Sequence, residues 1–407
     1  MKIMHLSDLH LGKSIYGISL IESGDQETLV KSILNAVNEH KPDAVIIAGD
    51  VYDRSNPSED AVVLFEELLN GLMELGTPAF IVSGNHDSAK RLSYLNATLK
   101  NHNIHIADEL SETLEQVTLE DEHGEVVFRL MPYAYPALIS QVLDDPELKY
   151  KDYNTAVKAL LERQNIDYSK RNVLIAHQFV TQNGKEAERG GSETSVAGVG
   201  AIEADTFADI EYTALGHIHA GYKVGGNVRY CGTPMCYHFD ETRQKDKGAL
   251  LIEIDAKGED IKVDKITFAP LHPLVIIKGP YEEVKRRISD LKGGEYVSVT
   301  VTDKGREERV NAAITSLLSA KDAKMLEFTQ ANTYRANLPD SEGSLQAEKP
   351  VAELFDDFYF ERMKEHLDGD DSALILYLAE ITERTNFEED GAADRAAAEL
   401  LDFLKEG

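Results

Sequence analysis

The sequence predicts an α/β protein whose main domain is followed by a small βαβαβ unit and a helical tail. Three observations support this prediction. Short apolar runs alternate with amphipathic patterns over the first 270 or so residues. The same alternation returns in compact form between about 271 and 337, and a polar linker at 338–350 precedes three helical patterns in 351–407. The order strand, helix, strand is typical of α/β domains.

The main domain contains five apolar runs that are short, bounded by turn signals, and typical of buried strands. They are KIMHL, DAVIIAG, PAFIVSG, NVLIAH and YTALGH. The segment 58–75 has the period of an amphipathic helix, with Ser58 as its N-cap and Gly76 just past its end. Three more runs, VRYCGT, GALLIEID and IKVDKITF, follow without helices between them. These three predict a second, more antiparallel sheet.

Composition argues against several classes of protein. The chain has 407 residues, 42% of them hydrophobic, which is enough to bury at least one sizeable core. No apolar run is long enough to span a bilayer, and the first ten residues meet polar side chains too early for a signal peptide. Cys231 and Cys236 are too few for a structural zinc site. A disulfide between them is possible, but two reduced thiols in a cytoplasmic protein are the expectation.

The net charge of −30 argues against broad nonspecific binding to nucleic acid. The charge is uneven, because residues 336–407 contain 20 acidic and only 6 basic side chains. Phosphate chemistry elsewhere in the chain therefore has to depend on local cations or bound metal.

Polar side chains that can bind metal follow all five predicted strands. Ligands of α/β sheets gather beyond the carboxyl ends of the strands, so we expect these side chains at one rim of one sheet. They are Asp8, His10, Asp50, Asp53, Asn85, His86, Asp87, His177, His217 and His219. Each of these short motifs alone has a purely structural interpretation, such as a turn or a histidine that only forms hydrogen bonds within the fold. Their joint occurrence at five strand ends favours a functional site.

The mixture of oxygen and imidazole donors favours a pair of catalytic metal ions. Carboxylate and carbonyl oxygens suit Mn²⁺ or Mg²⁺, and imidazole suits Mn, Fe or Zn. Two ions about 3.5–4 Å apart can hold both the attacking and the leaving oxygens of a phosphoester. Such a pair needs a bridging carboxylate, for which Asp50 is the natural candidate. His217 and His219, two residues apart at a strand end, would then face one ion each.

The order D-x-H, GD-x-x-D, GNHD, a lone histidine and GH-x-H resembles the calcineurin-like metallophosphoesterase superfamily. Within it, the stretches HLSDLHLGK, AGDVYDRSNPS, SGNHDS, ALGHIH and RYCGTP resemble the SbcD family of bacterial nuclease subunits. The resemblance implies a fold of two packed mixed sheets flanked by helices. It implies a nuclease domain at 1–270, a DNA-contacting cap at 271–337, a linker at 338–350, and a helical region at 351–407 that docks an SMC-like ATPase of the SbcC type.

The same resemblance implies an activity and an assembly. The activity would be ATP-dependent double-strand exonuclease and single-strand endonuclease cleavage in DNA repair, recombination and replication. The assembly would be a homodimer within a heterotetramer. The cofactors would be two divalent ions, most simply Mn²⁺, with Mg²⁺ or Fe²⁺ as alternatives.

Site roles also follow from the resemblance. The residues of one metal would be Asp8, His10 and His219, those of the other Asn85, His177 and His217, with Asp50 bridging. His86 resembles the catalytic histidine that stabilises or protonates the leaving oxygen. Asp53 is placed to orient that imidazole, as carboxylates commonly do.

Other basic residues have two interpretations each. Arg54 resembles the phosphate-holding arginine of protein phosphatases, or is simply solvated. The Gly-rich loop 181–200, with Lys185 and Arg189, either faces substrate or is a flexible connection. In the cap, the side chains that would contact DNA phosphates, or form only a solvated face, are Lys285, Arg286, Arg287, Lys304, Arg306 and Arg309.

The tail contains an apolar stripe at helical spacing, made of Val351, Leu354, Phe355, Phe358, Tyr359 and Met363. This stripe either packs within the protein or lies in a groove of the ATPase. Two competing functions are a different phosphodiesterase or phosphoprotein phosphatase of the same superfamily, and a scaffold that has lost its metals. The complete set of metal donors argues against the scaffold.

Overall fold

The computed structural model describes residues 1–107, 109–182, 201–244, 246–303 and 307–330. The strands of its first sheet are β1 (Lys2–Leu6), β4 (Ala44–Ala48), β5 (Ala79–Val82), β6 (Ile104–Ile106), β15 (Gly248–Glu253) and β16 (Lys262–Thr267). The order across the sheet is β16-β15-β1-β4-β5-β6. Strands β1, β4, β5 and β6 are parallel to one another. At the other side of β1, β15 pairs antiparallel with β1, and β16 pairs antiparallel with β15.

The strands of the second sheet are β7 (Glu115–Asp121), β8 (Gly124–Met131), β9 (Arg171–His177), β12 (Tyr212–Gly216), β13 (Tyr222–Gly225) and β14 (Val228–Tyr230). Their order is β13-β14-β12-β9-β8-β7. The four inner strands run parallel and the two edge strands antiparallel. The expected fold of two mixed sheets is therefore confirmed.

Two expectations about the sheets were wrong. The five strands that carry the predicted ligands do not share one sheet, because β9 and β12 belong to the second. The last three runs do not build a sheet of their own. The first of them becomes β14, which is parallel to β12, and the other two become β15 and β16. An apolar run reports that a strand is buried, but it does not specify which neighbour the strand pairs with.

The longer helices cover the outer faces of the two sheets. The helices before residue 270 are α1 (Asp25–His40), α2 (Glu59–Leu75), α3 (Ala89–Leu92), α4 (Asn96–Leu99), α5 (Pro136–Val142) and α6 (Tyr153–Glu162). Short strand pairs are β2 (Ser14–Ile15) with β3 (Ile18–Ser19), and β10 (Val180–Thr181) with β11 (Ile202–Glu203).

Alternate side chains of the buried strands explain the layers. On β4, Val45 packs in a cluster with α1 and α2, whereas Ile46 faces the other sheet with Phe80 and Phe128. The outer face of the second sheet is covered in the same way by α5 and α6. Helices, sheet, sheet and helices thus form four layers.

The predicted ends of α2 are confirmed. The Ser58 side chain accepts a hydrogen bond from the Ala61 N–H at 3.3 Å, which satisfies one free donor of the first turn. Gly76 follows the last turn with φ 68, a left-handed conformation that glycine adopts without steric cost.

The small unit has the predicted βαβαβ order. Its elements are β17 (Leu274–Gly279), α7 (Tyr281–Ser289), β18 (Tyr296–Val301), α8 (Glu307–Ser319) and β19 (Lys324–Gln330), and its three strands are parallel in the order β17-β18-β19. At its junction with the main domain, the His272 ring stacks on Tyr296 at 4.7 Å, and its Nδ1 lies 2.9 Å from an Asp25 carboxylate oxygen. The domain boundaries themselves stay predictions, and the linker and tail lie outside the described residues.

Both cysteines are free thiols, as expected, with Cys231 buried and Cys236 half-buried. Among the described residues, no helix combines the length and apolar character that crossing a membrane requires.

Candidate metal centre

The carboxyl ends of strands from both sheets converge at one rim. The loops after β1 and β4 are joined by backbone hydrogen bonds from Asp8 N to Gly49 O at 3.0 Å and from His10 N to Asp50 O at 2.9 Å. The second sheet joins them through the His217 N–H, which lies 3.1 Å from Asp8 Oδ1. The predicted rim therefore exists, but two sheets build it.

Four of the predicted ligands have unusual backbone conformations. Asp8, His10, Asp50 and His217 have φ values of 53, 43, 48 and 98°. Non-glycine residues in this region store about 1–3 kcal/mol of strain each and concentrate at functional sites. Here the left-handed backbone turns side chains at the strand ends toward one another. The fold is therefore less stable than it would be without this strain, and the strain assembles the centre.

Two glycines allow the close approach of these loops. A Cβ on Gly49 would lie 2.2 Å from His177 Nδ1, and Gly49 itself has φ 84. A Cβ on Gly84 would lie 2.1 Å from Asp50 Oδ1. The glycines in GD and GN therefore make room for ligand side chains, in addition to forming turns.

Asp8, His10 and His219 form the first half of the centre. One potential ligand atom from each lies within 4.8 Å of the others, and all three residues are buried. The two imidazoles face each other, with 3.2 Å between His10 Nε2 and His219 Nε2. Burial raises the pKa of Asp8 to about 6, against the charges of His177 and His219, which lower it. These are the three residues that the family resemblance assigns to one ion.

Asn85, His177 and His217 form the second half. The Asn85 side-chain oxygen lies 3.1 Å from His177 Nε2 and 3.1 Å from His217 Nδ1. The other nitrogen of His177 is 2.9 Å from the Ala48 carbonyl, which fixes its proton on Nδ1 and leaves Nε2 facing the centre. Three potential metal-binding atoms, from Asn85, His177 and His217, thus lie close together.

Asp50 lies between the two halves. Its Oδ2 is 3.7 Å from His10 Nε2 in the first half and 3.3 Å from His177 Nε2 in the second. Its Oδ1 accepts a hydrogen bond from the His86 N–H at 2.9 Å. This intermediate place is the one required of a bridging carboxylate.

The donor set fits a cation in the first half. Glu241 Oε1 lies 2.9 Å from His219 Nδ1, so the proton of His219 belongs on that atom and a lone pair faces His10. Within the described residues His10 Nδ1 is buried without a hydrogen-bond partner. If His10 Nδ1 carries the proton, it faces the Asp53 carboxylate at 3.6 Å, and two lone pairs face each other at 3.2 Å between His10 Nε2 and His219 Nε2. If Nε2 carries it, Nδ1 is an unsatisfied buried acceptor. A cation between the two Nε2 atoms resolves the first case.

Electrostatics in the second half depends on Asp50. Burial lowers the pKa of His177, but the adjacent Asp50 carboxylate outweighs burial and raises that pKa to about 9. Without a metal, His177 is therefore a protonated partner of Asp50. Burial lowers the pKa of His217 to about 3, which keeps this imidazole neutral and able to bind metal. Metal binding must displace the His177 proton, so it should release protons.

His86 and Asn85 are the exposed members of the centre, at its open side. The His86 ring lies 5.0 Å from the His10 ring. The expected partner of His86 needs a correction, because its Nδ1 is 2.9 Å from the backbone carbonyl of Asp53 rather than from the carboxylate. That carboxylate accepts from Lys13 Nζ at 2.6 Å and lies 3.6 Å from His10 Nδ1. Sequence spacing places Asp53 near His86 but does not decide whether backbone or side chain makes the contact.

The candidate basic residues have varied surroundings. The Arg54 side chain is 71% exposed, with its Nε 3.8 Å from Asp53 Oδ2. In the small unit, Lys285 pairs with Glu282 at 3.0 Å and Arg287 donates to the Ile276 carbonyl at 2.9 Å. Arg286 and Arg309 are exposed. The candidates that lie outside the described residues are Lys185, Arg189, Lys304 and Arg306.

Two carboxylates have supporting roles that the sequence does not predict. Asp87, one of the polar side chains expected at the rim, accepts hydrogen bonds from the N–H groups of Val51, Tyr52 and Gly84 at 2.9–3.0 Å, which ties together the loops after β4 and β5. Glu241 is 22 residues beyond His219 in sequence, and its carboxylate fixes that histidine. Only its three-dimensional contact identifies it, because no periodicity connects the two positions.

Two family models match different parts of the chain. Residues 1–221 match the family described as calcineurin-like phosphoesterase. Residues 270–363 match the SbcD_C family, described as Type 5 capsule protein repressor C-terminal domain.

Among similar proteins are two that are described as the SbcD component of the nuclease SbcCD. The one from Staphylococcus saprophyticus is 32% identical over 301 residues, which cover 72% of this chain and 76% of the relative. The one from Staphylococcus epidermidis is 30% identical over 311 residues, covering 74% and 79%. Among solved structures, TT1561 of Thermus thermophilus is 13% identical, with 65% of this chain and 98% of that one covered. The TM-score of this pair is 0.37.

Proposed function

Because this chain belongs to the calcineurin-like phosphoesterase family, and within it to the SbcCD nuclease subunits, we propose that it cleaves DNA at a two-metal centre. Membership makes it a phosphodiester hydrolase. The observation that supports the two-metal proposal is the place of Asp50, between two groups of potential metal ligands and within 3.7 Å of a buried histidine from each.

The donors of each half would hold one divalent ion. The first group is Asp8, His10 and His219, the second Asn85, His177 and His217, and Asp50 is shared. When bound, the ions would supply positive charge for the phosphate oxygens and acidify an attacking water. Mn²⁺ suits this mixture of carboxylate, amide and imidazole donors.

His86 would protonate the leaving oxygen. With its Nδ1–H directed at the Asp53 carbonyl, the Nε2 of His86 is the atom available to substrate. A protonated His86 would donate from Nε2 to the leaving 3′ or 5′ oxygen, at the exposed side of the centre. Asp50 Oδ1 accepts a hydrogen bond from the His86 backbone N–H, which holds the loop that carries His86 in place. Asp53 would position His86 through its main chain and Lys13 through its carboxylate.

We further propose that the chain acts in the cytoplasm with an ATPase of the SbcC type, docked on the helices after residue 350. The relatives are named as subunits of SbcCD, which supports a complex of this kind. The ATPase would also supply DNA-binding surface that a chain with a net charge of −30 lacks.

A homodimer is supported by apolar side chains near the start of α2. Val62 and Val63 are 45% and 51% exposed, and Tyr94 and Leu95, after α3, are 75% and 58% exposed. Each pair of neighbouring exposed apolar residues is typical of an interaction surface. In the heterotetramer, such surfaces would join two nuclease subunits.

Cleavage of end-labelled DNA tests the proposal. With Mn²⁺, the purified chain should cut single-stranded DNA, and ATP with the copurified ATPase should add exonuclease activity on linear duplex. His86→Ala should lose cleavage by at least about 100-fold, the usual contribution of general acid catalysis. His123→Ala, in the β7–β8 turn, is the matched control and should cut normally. Hydrolysis of a small phosphodiester with no DNA cleavage under any condition would overturn the nuclease proposal.

A further inference from the structure

The open side of the metal centre is chemically asymmetric. Beside the His10 half, Lys13 contacts the Asp53 carboxylate and Arg54 extends into solvent. Beside the His217 half, three aromatic side chains are partly or fully exposed, whereas the ring next to His10, that of Tyr237, is buried. A nucleic acid strand has the same division, with phosphates along one side and base faces along the other.

Three rings make up the aromatic side. Tyr133 stacks near His217, with ring centroids 6.5 Å apart and planes inclined by 28°. Phe179 lies 6.4 Å from His217 on another element. Tyr135 continues the row, 6.4 Å from Tyr133, and is 43% exposed. The row therefore leads from a metal-centre histidine to an open aromatic face.

The backbone of Tyr135 is held in place. Tyr135 is the N-cap of α5, and its carbonyl accepts from Ile139 N at 3.0 Å. Pro136 follows at the first helical position, where its fixed φ suits the start of a helix. Two residues earlier, Tyr133 N donates to the Ser83 carbonyl at 2.9 Å, next to the loop that carries Asn85. The exposed ring is therefore attached to the same framework as the metal donors.

A single exposed tyrosine is ordinary, and Tyr168, 47% exposed in a turn before β9, is one such case. Tyr135 differs because its ring continues a row that begins at the catalytic centre. Stacking of bases on aromatic rings contributes binding with little sequence preference, since every base has a π-face. Bases inside a duplex already stack on their neighbours, so only an unpaired or frayed base could use this face.

We infer that Tyr135, backed by Tyr133, is a stacking subsite for an unpaired nucleobase next to the scissile phosphate. This inference rests on the proposed nuclease function. The subsite selects single-stranded or frayed DNA over intact duplex, because it binds a base face that pairing hides. It lies on the His217 side of the centre.

The test combines removal of the ring with removal of a base. A set of short single-stranded oligonucleotides carries one abasic residue at successive positions around the cleaved bond, and the KM for Mn²⁺-dependent cleavage is measured for each. One abasic position should raise the KM of the wild-type protein about tenfold, which corresponds to about 1.4 kcal/mol. Tyr135→Ala should raise the KM for the intact oligonucleotide by a similar factor and respond no further to that abasic residue. Tyr135→Phe should behave as wild type.

Tyr168→Ala is the control for loss of an exposed ring, and it should keep the wild-type response. Calorimetric Mn²⁺ binding by Tyr135→Ala should equal that of the wild type, which shows that the centre is intact. If the wild type cuts the oligonucleotides but Tyr135→Ala does so with an unchanged KM, the subsite is refuted and the nuclease function stands. If the wild type neither binds nor cuts single strands, the subsite is refuted; the proposed function fails with it only if duplex DNA is also left uncut in the presence of the ATPase.

Discussion

Replacing Glu241 with glutamine should weaken metal binding from outside the set of direct ligands. The Glu241 side chain is 2% exposed, and its Oε1 lies 2.9 Å from His219 Nδ1. Its other oxygen accepts from Thr233 Oγ1 at 3.0 Å and Tyr237 N at 3.2 Å, and pairs with Lys247 Nζ at 3.0 Å. Burial raises the pKa of Glu241, but the bond to His219 and the charge of Lys247 outweigh it and bring the pKa to about 2.

The magnitude follows from these contacts. Glutamine keeps the shape but leaves the buried ammonium of Lys247 without its countercharge. Breaking one side of a buried ion pair costs about 3–5 kcal/mol. Lys247 Nζ also donates to the His219 carbonyl at 2.7 Å and to Thr233 Oγ1 at 2.6 Å, so we expect the lower end, about 3 kcal/mol. Loss of a carboxylate that orients a metal-binding histidine lowers metal affinity about 10–100-fold.

Two measurements on the same samples separate stability from metal binding. Denaturant unfolding without metal gives the loss of stability, and calorimetry at a temperature where both proteins are folded gives the Mn²⁺ affinity. Glu211→Gln is the matched control, since Glu211 is also buried. Its carboxylate accepts a hydrogen bond from Gly258 N at 3.0 Å and forms a salt bridge with the Lys257 ammonium. This variant should lose stability and keep its Mn²⁺ affinity. If Glu241→Gln also keeps its Mn²⁺ affinity, the Glu241 carboxylate does not orient His219 for metal binding.

Three other substitutions test separate parts of the structure. Gly84→Ala should reduce Mn²⁺ affinity at least tenfold in calorimetry, because its Cβ would lie 2.1 Å from Asp50 Oδ1; unchanged affinity would show that Asp50 can move. Hydrogen bonds from Arg171 hold the pKa of Asp121 below its usual range, so this carboxylate stabilises the fold above the unfolded-state pKa of about 4 and stops doing so as the pH falls. Asp121→Asn should therefore lower the Tm at pH 7 and flatten the fall of Tm in acid; parallel Tm curves would contradict this. Phe128→Ala, between the sheets, should cost about 3–5 kcal/mol in denaturant unfolding, and a loss below about 1 kcal/mol would mean that the core collapses around the gap.

The sequence predicted the components of the centre because strand ends leave clear local signals. Asp8, Asp50 and His177 each follow a short, mostly apolar run that is buried, and glycines at 49 and 84 mark the tight turns beside them. Such runs are buried whichever sheet they join. The convergence at one rim could therefore be expected even though the assignment of strands to sheets was wrong.

What the sequence missed depends on contacts between distant elements. Glu241 reaches His219 from a 3₁₀ helix at Phe239–Arg243. His86 uses the main chain of Asp53, and main-chain contacts have no residue signature. The left-handed φ of Asp8, His10 and Asp50 is likewise unexpected, since local preference opposes it and only the surrounding packing imposes it.

The number of Mn²⁺ ions bound per chain shows whether the centre holds two metals that share Asp50. Calorimetric titration of the metal-free protein should give two Mn²⁺ per chain for the wild type. His219→Ala should retain one tight site, and Asp50→Asn should weaken both, because Asp50 contacts both halves. A single site in the wild type, or two undiminished sites in Asp50→Asn, would contradict a bridged two-metal centre.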